Sequence, residues 1–239
     1  MMNKIILFLV EGETDKTSLA LTIARQLREV KFFVIRTDIT SDYETNVDNI
    51  ISLIFERVGF FLAENPQFDF SDIESVIQIT DTDGTFISDD KVIYDESCEN
   101  IFYSNEIMLT NNVSETKDRN HRKSEILNKL YKLKHIEGKD KGETVKIKYR
   151  IYYMSCNLEH VLHDLPNVVS KTEKERLAKQ FRKETAVNKD KLRDIVFSPA
   201  IDSSADYEES WSYIQKGENS LKRKSNFSKF FSEYIDKYD

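Results

Sequence analysis

The sequence is poor in cysteine, proline and glycine, and it has no long apolar run. Its only two cysteines, Cys98 and Cys156, lie far apart, which argues against a disulfide scaffold and fits a reducing cytoplasm. No apolar segment approaches the roughly 20 residues that a membrane-spanning helix needs. The first apolar run is followed by acids and not by the small residues of a cleavage site, so we expect no signal peptide. These absences predict a cytoplasmic protein that does not enter a membrane.

A phosphate loop of the nucleotide-hydrolase type is missing as well. The segment "GETDKTS", residues 12–18, offers glycine, lysine and threonine, but such a loop needs a second glycine directly before the lysine. Asp15 occupies that position, and its carboxylate would face the phosphates. Any ATP-driven step would therefore have to come from a partner.

The chain is rich in charge, and the charge is unevenly distributed. Residues 1–116 hold 8 Lys and Arg against 22 Asp and Glu, whereas residues 117–239 hold 27 against 20. A basic half attracts polyanions, and an acidic half repels them unless cations intervene. Solvated helix surfaces would give the same imbalance, so both interpretations stay open.

The pattern of the first 84 residues predicts an α/β fold. Apolar or β-branched runs at 4–10, 31–37 and 73–80 alternate with helical patterns at 14–29 and 46–62, which is typical of a parallel sheet. A fourth strand is predicted at 145–154. We expect an α/β domain over 1–155, a parallel sheet of about four strands flanked by helices, and a helical, basic C-terminal region over 156–239.

The middle of the chain is harder to interpret. Residues 85–144 form an insertion in which "KVIYD", "NIFYS" and "EIMLT" could be short strands or loops. A basic helix is predicted at 115–135 and a charged connector at 137–143. C-terminal helices are predicted at 158–164, 171–184, 188–196, 206–215 and 225–237.

Two of the predicted strands run directly into acidic residues. The first ends as "IILFLVEGETDK", with Glu11 and Asp15, and the third as "VIQITDTDG", with Asp81 and Asp83. Because the carboxyl ends of parallel strands share one edge of a sheet, these carboxylates should be neighbours. Uncompensated, they would repel one another, whereas Mg²⁺ prefers such oxygen ligands. Each motif alone is more typical of an ordinary turn than of a functional site, and Asp15 could simply complement a helix N-terminus.

The ordered combination resembles the TOPRIM domain, in which an apolar strand ends in Glu-Gly and a later one in Asp-x-Asp. The resemblance covers residues 4–84 and implies that Glu11, Asp81 and Asp83 are catalytic acids binding Mg²⁺ or Mn²⁺. Asp15 matches a second acidic position of the nuclease branch.

The length and the tail are most similar to small stand-alone TOPRIM nucleases of bacterial defence loci, of the RloB, abortive-infection and overcoming-lysogenization-defect kinds. In "IYYMSCNLEHVLHDL", residues 151–165, Asn157 could cap a helix and Glu159 could be a further metal ligand. His160 and His163 could contact the metal or a phosphate. The simpler interpretation is that one of the two packs inside the protein and the other faces water.

Clusters of cations in the second half could bind nucleic acid. Arg119, Arg122 and Lys123 lie on one predicted helix, and "SLKRKSNFSKFF", residues 220–231, places Lys222, Arg223 and Lys224 beside aromatic residues. Cations neutralise phosphates, and aromatic rings stack on unpaired bases.

The resulting hypothesis is a Mg²⁺- or Mn²⁺-dependent nuclease that hydrolyses phosphodiester bonds of DNA or RNA. The resemblance implies an effector role in anti-phage defence, with a separately encoded ATPase as a possible partner. The alternatives are a non-catalytic TOPRIM-like module that docks such a partner, and an RNA-processing endonuclease. The oligomeric state, including a homo-oligomer, stays open.

Overall fold

Strands and helices alternate along the chain much as the sequence predicts. The structure is a computed structural model that describes residues 4–27, 31–202, 204 and 206–236. Within them the strands are β1 (Ile5–Val10), β2 (Lys31–Arg36), β3 (Ile73–Asp81), β4 (Val92–Tyr94), β5 (Phe102–Tyr103), β6 (Met108–Thr110), β7 (His135–Asp140) and β8 (Glu143–Met154).

The α-helices are α1 (Glu13–Gln26), α2 (Ile50–Glu64), α3 (Val113–Leu130), α4 (Leu158–His163), α5 (Lys171–Val187), α6 (Lys191–Val196), α7 (Tyr207–Ile214) and α8 (Ser228–Phe230). The last continues as a π-helical turn, Phe231–Ile235. Short 3₁₀ turns are Phe70–Asp72, Asp89–Lys91 and Asn219–Leu221. The predicted ends of two helices, residues 29 and 237, lie outside the described residues.

The main sheet has five strands in the order β2-β1-β3-β8-β7. The first four pair in parallel and β7 pairs antiparallel to β8, so the prediction of a mixed α/β fold with a mostly parallel sheet is confirmed. Helices flank this sheet. The prediction of a connector at 137–143 is wrong, because these residues form most of β7 and the turn into β8. Lys141 and Gly142 make that turn with φ of 49° and 88°, the left-handed conformation that tight hairpins require.

The inserted segment forms a second, small sheet in the order β4-β6-β5. All three runs that the sequence left open as strands or loops are therefore short strands. Met108 of this sheet is fully buried in a small cluster with Cys156 and Leu221. The insertion thus packs against the end of β8 and against the C-terminal segment.

The C-terminal region shares the core of the sheet. Trp211, Phe227 and Phe230 are fully buried in the same cluster as β1, and the Phe8 and Phe230 rings lie 5.4 Å apart. Helix α5 packs against α1. The aromatic residues of "SLKRKSNFSKFF" are therefore core residues, and the prediction that they stack on bases is wrong. Among the described residues, no helix combines the length and apolar character needed to cross a bilayer.

Candidate functional site

The carboxyl ends of β1, β2, β3 and β8 meet at one edge of the main sheet. Thr37, after β2, donates to the Val10 carbonyl at the end of β1 (2.7 Å). Asp81, the last residue of β3, is in register with Met154, the last residue of β8. The parallel register therefore brings Glu11, Asp81 and Asp83 to one place, as the sequence pattern predicts.

Glu11 is held by side chains from two neighbouring strand ends. Its Oε1 accepts hydrogen bonds from Thr80 Oγ1 and from Thr40 Oγ1 (2.8 Å), and the Asp81 amide lies 3.3 Å away. Burial raises the pKa of Glu11 to about 7, with Lys123 opposing the shift. The carboxylate is thus fixed in position but poorly solvated.

Lys123 joins two of the predicted acids. Its fully buried Nζ lies 2.5 Å from Asp83 Oδ2, 3.4 Å from Glu11 Oε1 and 3.0 Å from Ser41 Oγ. Burial alone would lower the pKa of this lysine, but Asp83 and Glu11 together raise it above its ordinary value. The sequence placed Lys123 among the phosphate-binding cations. That prediction is wrong, because its ammonium group faces inward from α3.

Asp83 lies in a strained turn that the surrounding structure holds. Asp83 and Gly84 adopt φ of 49° and 66°, and the Asp83 amide donates to the Cys156 carbonyl (2.8 Å). Arg119 donates to the Asp83 carbonyl (2.9 Å). Burial favours a raised pKa, but Lys123 and Arg119 hold the pKa of Asp83 below its ordinary value. Asp83 is therefore a stable, paired anion.

Asp81 is not paired in this way. Within the described residues its side chain has no hydrogen bond or ion pair, although it lines an open cleft. Burial raises the pKa of Asp81 well above its ordinary value, and Asp15, Glu11 and Asp83 add to the shift by repulsion. Lys123 opposes this shift from a distance, but it does not pair with Asp81, whose carboxylate is thus left without a direct partner in the described part of the chain.

Asp15 and Glu159 lie on the same side of the cluster as Asp81. Asp15 accepts from the Gly12 amide (2.7 Å) and so caps the start of α1. Burial raises the pKa of Asp15 to about 6, and Glu159 contributes by repulsion. Glu159 is buried in α4 and lies 3.6 Å from Lys174 Nζ. Asp15 therefore serves the helix N-terminus and also borders the unpaired acid.

The cluster is not a preformed metal centre. Across residues 4–27, 31–202, 204 and 206–236, no group of three or more His, Cys, Asp or Glu side chains is arranged to hold a metal ion. Lys123 gives the physical reason, because it occupies the space between Glu11 and Asp83. The donors that remain are carboxylate oxygens, the type that hard divalent cations prefer, and the uncompensated Asp81 fits such an ion chemically.

A cleft of about 1320 Å³ opens above these acids. Asp81 and Asp83 contribute to its lining, and so do three cationic residues, Arg119 and Arg122 of α3 and Lys174 of α5. The inserted segment supplies another part of the lining, including Tyr103, Asn111 and Asn112. Glu99, Glu115 and Asp118 line it as well, so the three cations stand among five acidic side chains.

The remaining predicted residues lie outside the acid cluster. Arg223 donates to the Val161 carbonyl (2.8 and 3.1 Å), and Lys224 Nζ lies over the Tyr213 ring, whereas Lys222 is exposed. Arg223 therefore holds α4 in place and is not a free phosphate ligand.

The predicted residues of α4 are buried or half-buried, so the expectation that one histidine faces water is wrong. Asn157 caps α4 by accepting from the His160 amide (2.9 Å), as predicted. His163 packs edge-on against Phe181, and His160 is buried. Neither histidine joins the acids.

Sequence reasoning missed the loop that follows β2. Thr40 and Ser41 bind Glu11 and Lys123 respectively, and Tyr43 lines the cleft. The sequence did indicate this loop, because the polar segment follows a predicted parallel strand just as the acidic segments do.

Comparisons with protein-family models, with curated proteins and with solved structures found no match to this chain.

Proposed function

We propose that the protein is a divalent-cation-dependent phosphodiesterase that cuts nucleic acid in the cleft above the acid cluster. The observation that carries the proposal is Asp81, a carboxylate without a partner among the described residues, beside Asp15 and Glu11. Holding such a group in a desolvated cluster is costly. A cost of this kind at a cleft is typical of a functional site.

Mg²⁺ or Mn²⁺ would be held mainly by Asp81, with Asp15 beside it, because Glu11 and Asp83 are paired with Lys123 and Glu159 is paired with Lys174. The described side chains form no set of three arranged for the ion, so its other ligands would be water and substrate oxygens. When bound, such an ion polarises a phosphoryl oxygen and offsets the charge that develops on it. The role of Thr40, Thr80 and Lys123 is to fix the acids, so that little reorganisation accompanies the reaction.

The cations of the cleft would bind the phosphates. Arg122 and Lys174 come from different helices and line the same cleft as Asp81. Their contacts to phosphates would give an affinity that falls with salt concentration, and a bound divalent cation would offset the repulsion from the acids of the lining. Arg119 is committed to the Asp83 loop and would act mainly by holding it.

The test uses Asp81→Asn, with Glu125→Gln on the exposed face of α3 as the matched control. Labelled DNA and RNA are incubated with each protein and Mn²⁺, and cleavage is followed on gels. We expect Asp81→Asn to abolish cleavage. In EDTA the same change should raise the free energy of unfolding by about 0.5–2 kcal/mol, because it removes an uncompensated charge.

The control should leave both measurements unchanged. Cleavage by Asp81→Asn at the wild-type rate, or no cleavage by the wild-type protein on either polymer, would remove the proposal. Cutting of a structured RNA at one site would identify the RNA-processing variant of the same activity.

A second candidate is a non-catalytic module that docks a partner. The buried Lys123 favours it, because two of the acids are neutralised without a metal. It predicts no heat of Mn²⁺ binding in titration calorimetry and full function of Asp81→Asn in cells. The TOPRIM resemblance supports a defence setting with an ATPase partner for either candidate, and co-purification with the product of a neighbouring gene tests that partner.

A further inference from the structure

We propose that Tyr43 and Arg122 form a binding site for one unpaired nucleotide at the mouth of the cleft, so that the substrate is single-stranded there. This inference rests on the proposed function and adds to it the form of the nucleic acid. Both residues line the cleft that contains Asp81 and Asp83.

Tyr43 is an aromatic side chain presented to solvent. Its exposed fraction is 85%, whereas the large aromatic residues of the C-terminal segment are buried. It lies in the loop between β2 and α2, and the residues just before it, Thr40 and Ser41, are bonded to the acid cluster. The ring is therefore held close to the acids and is exposed enough to stack on a base.

Arg122 gives the ring a cationic neighbour. Its guanidinium carbon lies 5.1 Å from the centroid of the Tyr43 ring. Its one described hydrogen bond is a long one, 3.4 Å, to the Ser41 carbonyl. The buried Nε has no hydrogen-bond partner in the described part of the chain.

The buried Nε of Arg122 is closed to a ligand, but among the described residues the two terminal nitrogens hold only that long bond, so a phosphate or base oxygen can accept from them. Arg122 and Tyr43 thus offer two different interactions to the same ligand. The arginine suits a phosphate oxygen or base edge, and the ring suits a base face.

The pair selects an unpaired base. In a duplex both faces of each base are covered by its neighbours, so a base can stack on Tyr43 only after it leaves the helix. A single strand has no such cost, and its base could lie on the ring while its phosphates reach Arg122 and Lys174.

The test measures binding in EDTA, which prevents metal-dependent cleavage. Fluorescence anisotropy is recorded for a labelled oligothymidylate and for a duplex of the same length. We expect the wild-type protein to prefer the single strand. Tyr43→Ala should weaken that binding by roughly five- to a hundredfold, while Tyr43→Phe should retain it because the ring is kept.

The chain offers a matched control pair. Arg57 and Phe60 of α2 have the same cation–ring arrangement, 5.9 Å, with Phe60 57% exposed, and neither lines the cleft. Phe60→Ala and Arg57→Gln should leave binding unchanged, whereas Arg122→Gln should weaken it. Arg122→Lys should be intermediate, since it keeps the charge but loses the planar group.

Each outcome decides the inference. Equal single-strand binding by Tyr43→Ala and wild type would overturn it, and the proposed function would stand if Asp81→Asn still abolished cleavage. Equally tight duplex binding by the wild type would overturn the selection of an unpaired base. Absence of binding to either polymer, together with absence of cleavage, would remove both proposals.

Discussion

Lys123 is an ammonium group with no exposed surface that pairs with carboxylates from two separate strand ends. Removing one partner of a buried ion pair leaves the others charged and desolvated. We therefore expect Lys123→Met to lower the free energy of unfolding by about 3–5 kcal/mol, measured by urea denaturation in EDTA. Lys132→Met, at an exposed position just beyond α3, serves as the control, and equal stability of the two variants would contradict the assigned role.

His163 provides a pH-dependent contribution to stability. Burial lowers the pKa of His163, which packs against Phe181, below its ordinary value of about 6.5. The unfolded chain therefore takes up the proton first as the pH falls, and stability that is complete above about pH 6.5 is lost through the lowered pKa.

The raised pKa values of Glu11, Asp15 and Asp81 act in the opposite direction, because these carboxyls bind protons in the folded protein before they do so in the unfolded chain. The contribution of His163 is therefore read from a comparison: between about pH 7.5 and pH 5.5 the profile of the urea midpoint should move upward in His163→Gln relative to the wild-type protein. His135→Gln, at an exposed position, should not change it. If His163→Gln leaves the pH profile of the urea midpoint unchanged, groups other than His163 are responsible for the pH dependence of stability.

At the residue scale the sequence predicts the acids better than it predicts their partners. Glu11, Asp81 and Asp83 follow buried strands, so a topological rule places them together. Lys123 lies 40 residues from Asp83 and 112 from Glu11, so no short motif joins them. Its place three, four and seven residues before Ile126, Leu127 and Leu130 puts it on the buried face of α3, a helical signal that the sequence prediction did not use.

At the element scale, β7 depends on tertiary contacts more than on its own sequence. "HIEGKD" has a single apolar residue, the buried Ile136, and no alternation that predicts a strand. Pairing with β8 and packing against α2 form it. The strands and helices that were predicted correctly have long apolar runs or clear apolar stripes, which determine their structure locally.

Gly138 tests the packing of β7. A methyl group at this position would lie 2.3 Å from the Phe55 ring of α2, which is itself stacked on Phe70. Gly138→Ala should therefore destabilise the protein by about 1–3 kcal/mol through overpacking. Gly59→Ala is the control: it lies in α2 with nothing within 4 Å, and it should stabilise by about 0.5–1 kcal/mol. Thermal unfolding of both variants measures the difference. A Gly138→Ala protein as stable as the wild type would contradict this packing.

At the scale of the whole molecule, the acidic and basic halves meet at the site. Lys123, Arg119 and Lys174 come from the basic half, and each shifts the pKa of Asp83, which lies in the acidic half, downward. Some acidic residues of the first half are therefore neutralised inside the protein by cations of the second half. Arg122 also comes from the basic half, and because its described hydrogen bond is long, it is more available to a ligand than those three cations.

The shared core makes the C-terminal region necessary for folding. A chain ending at residue 155 would expose the surface of β1 and β8 that Trp211, Phe227 and Phe230 cover. We expect this fragment to lack a cooperative thermal transition, whereas the chain of 239 residues should unfold cooperatively. Circular dichroism during heating distinguishes them, and cooperative unfolding of the shorter fragment would contradict the shared core.

The order of the strands has a consequence for synthesis on the ribosome. β8 pairs with β3 across more than 70 positions, and Ser225 bridges to Met154 from still further along. The acids can therefore be positioned only after residue 225 has been synthesised, and folding of such non-local pairings is slow. A nascent chain that stops before β8 carries Glu11 and Asp81 without the scaffold that assembles them, so that any activity of the site would begin only after that point of synthesis.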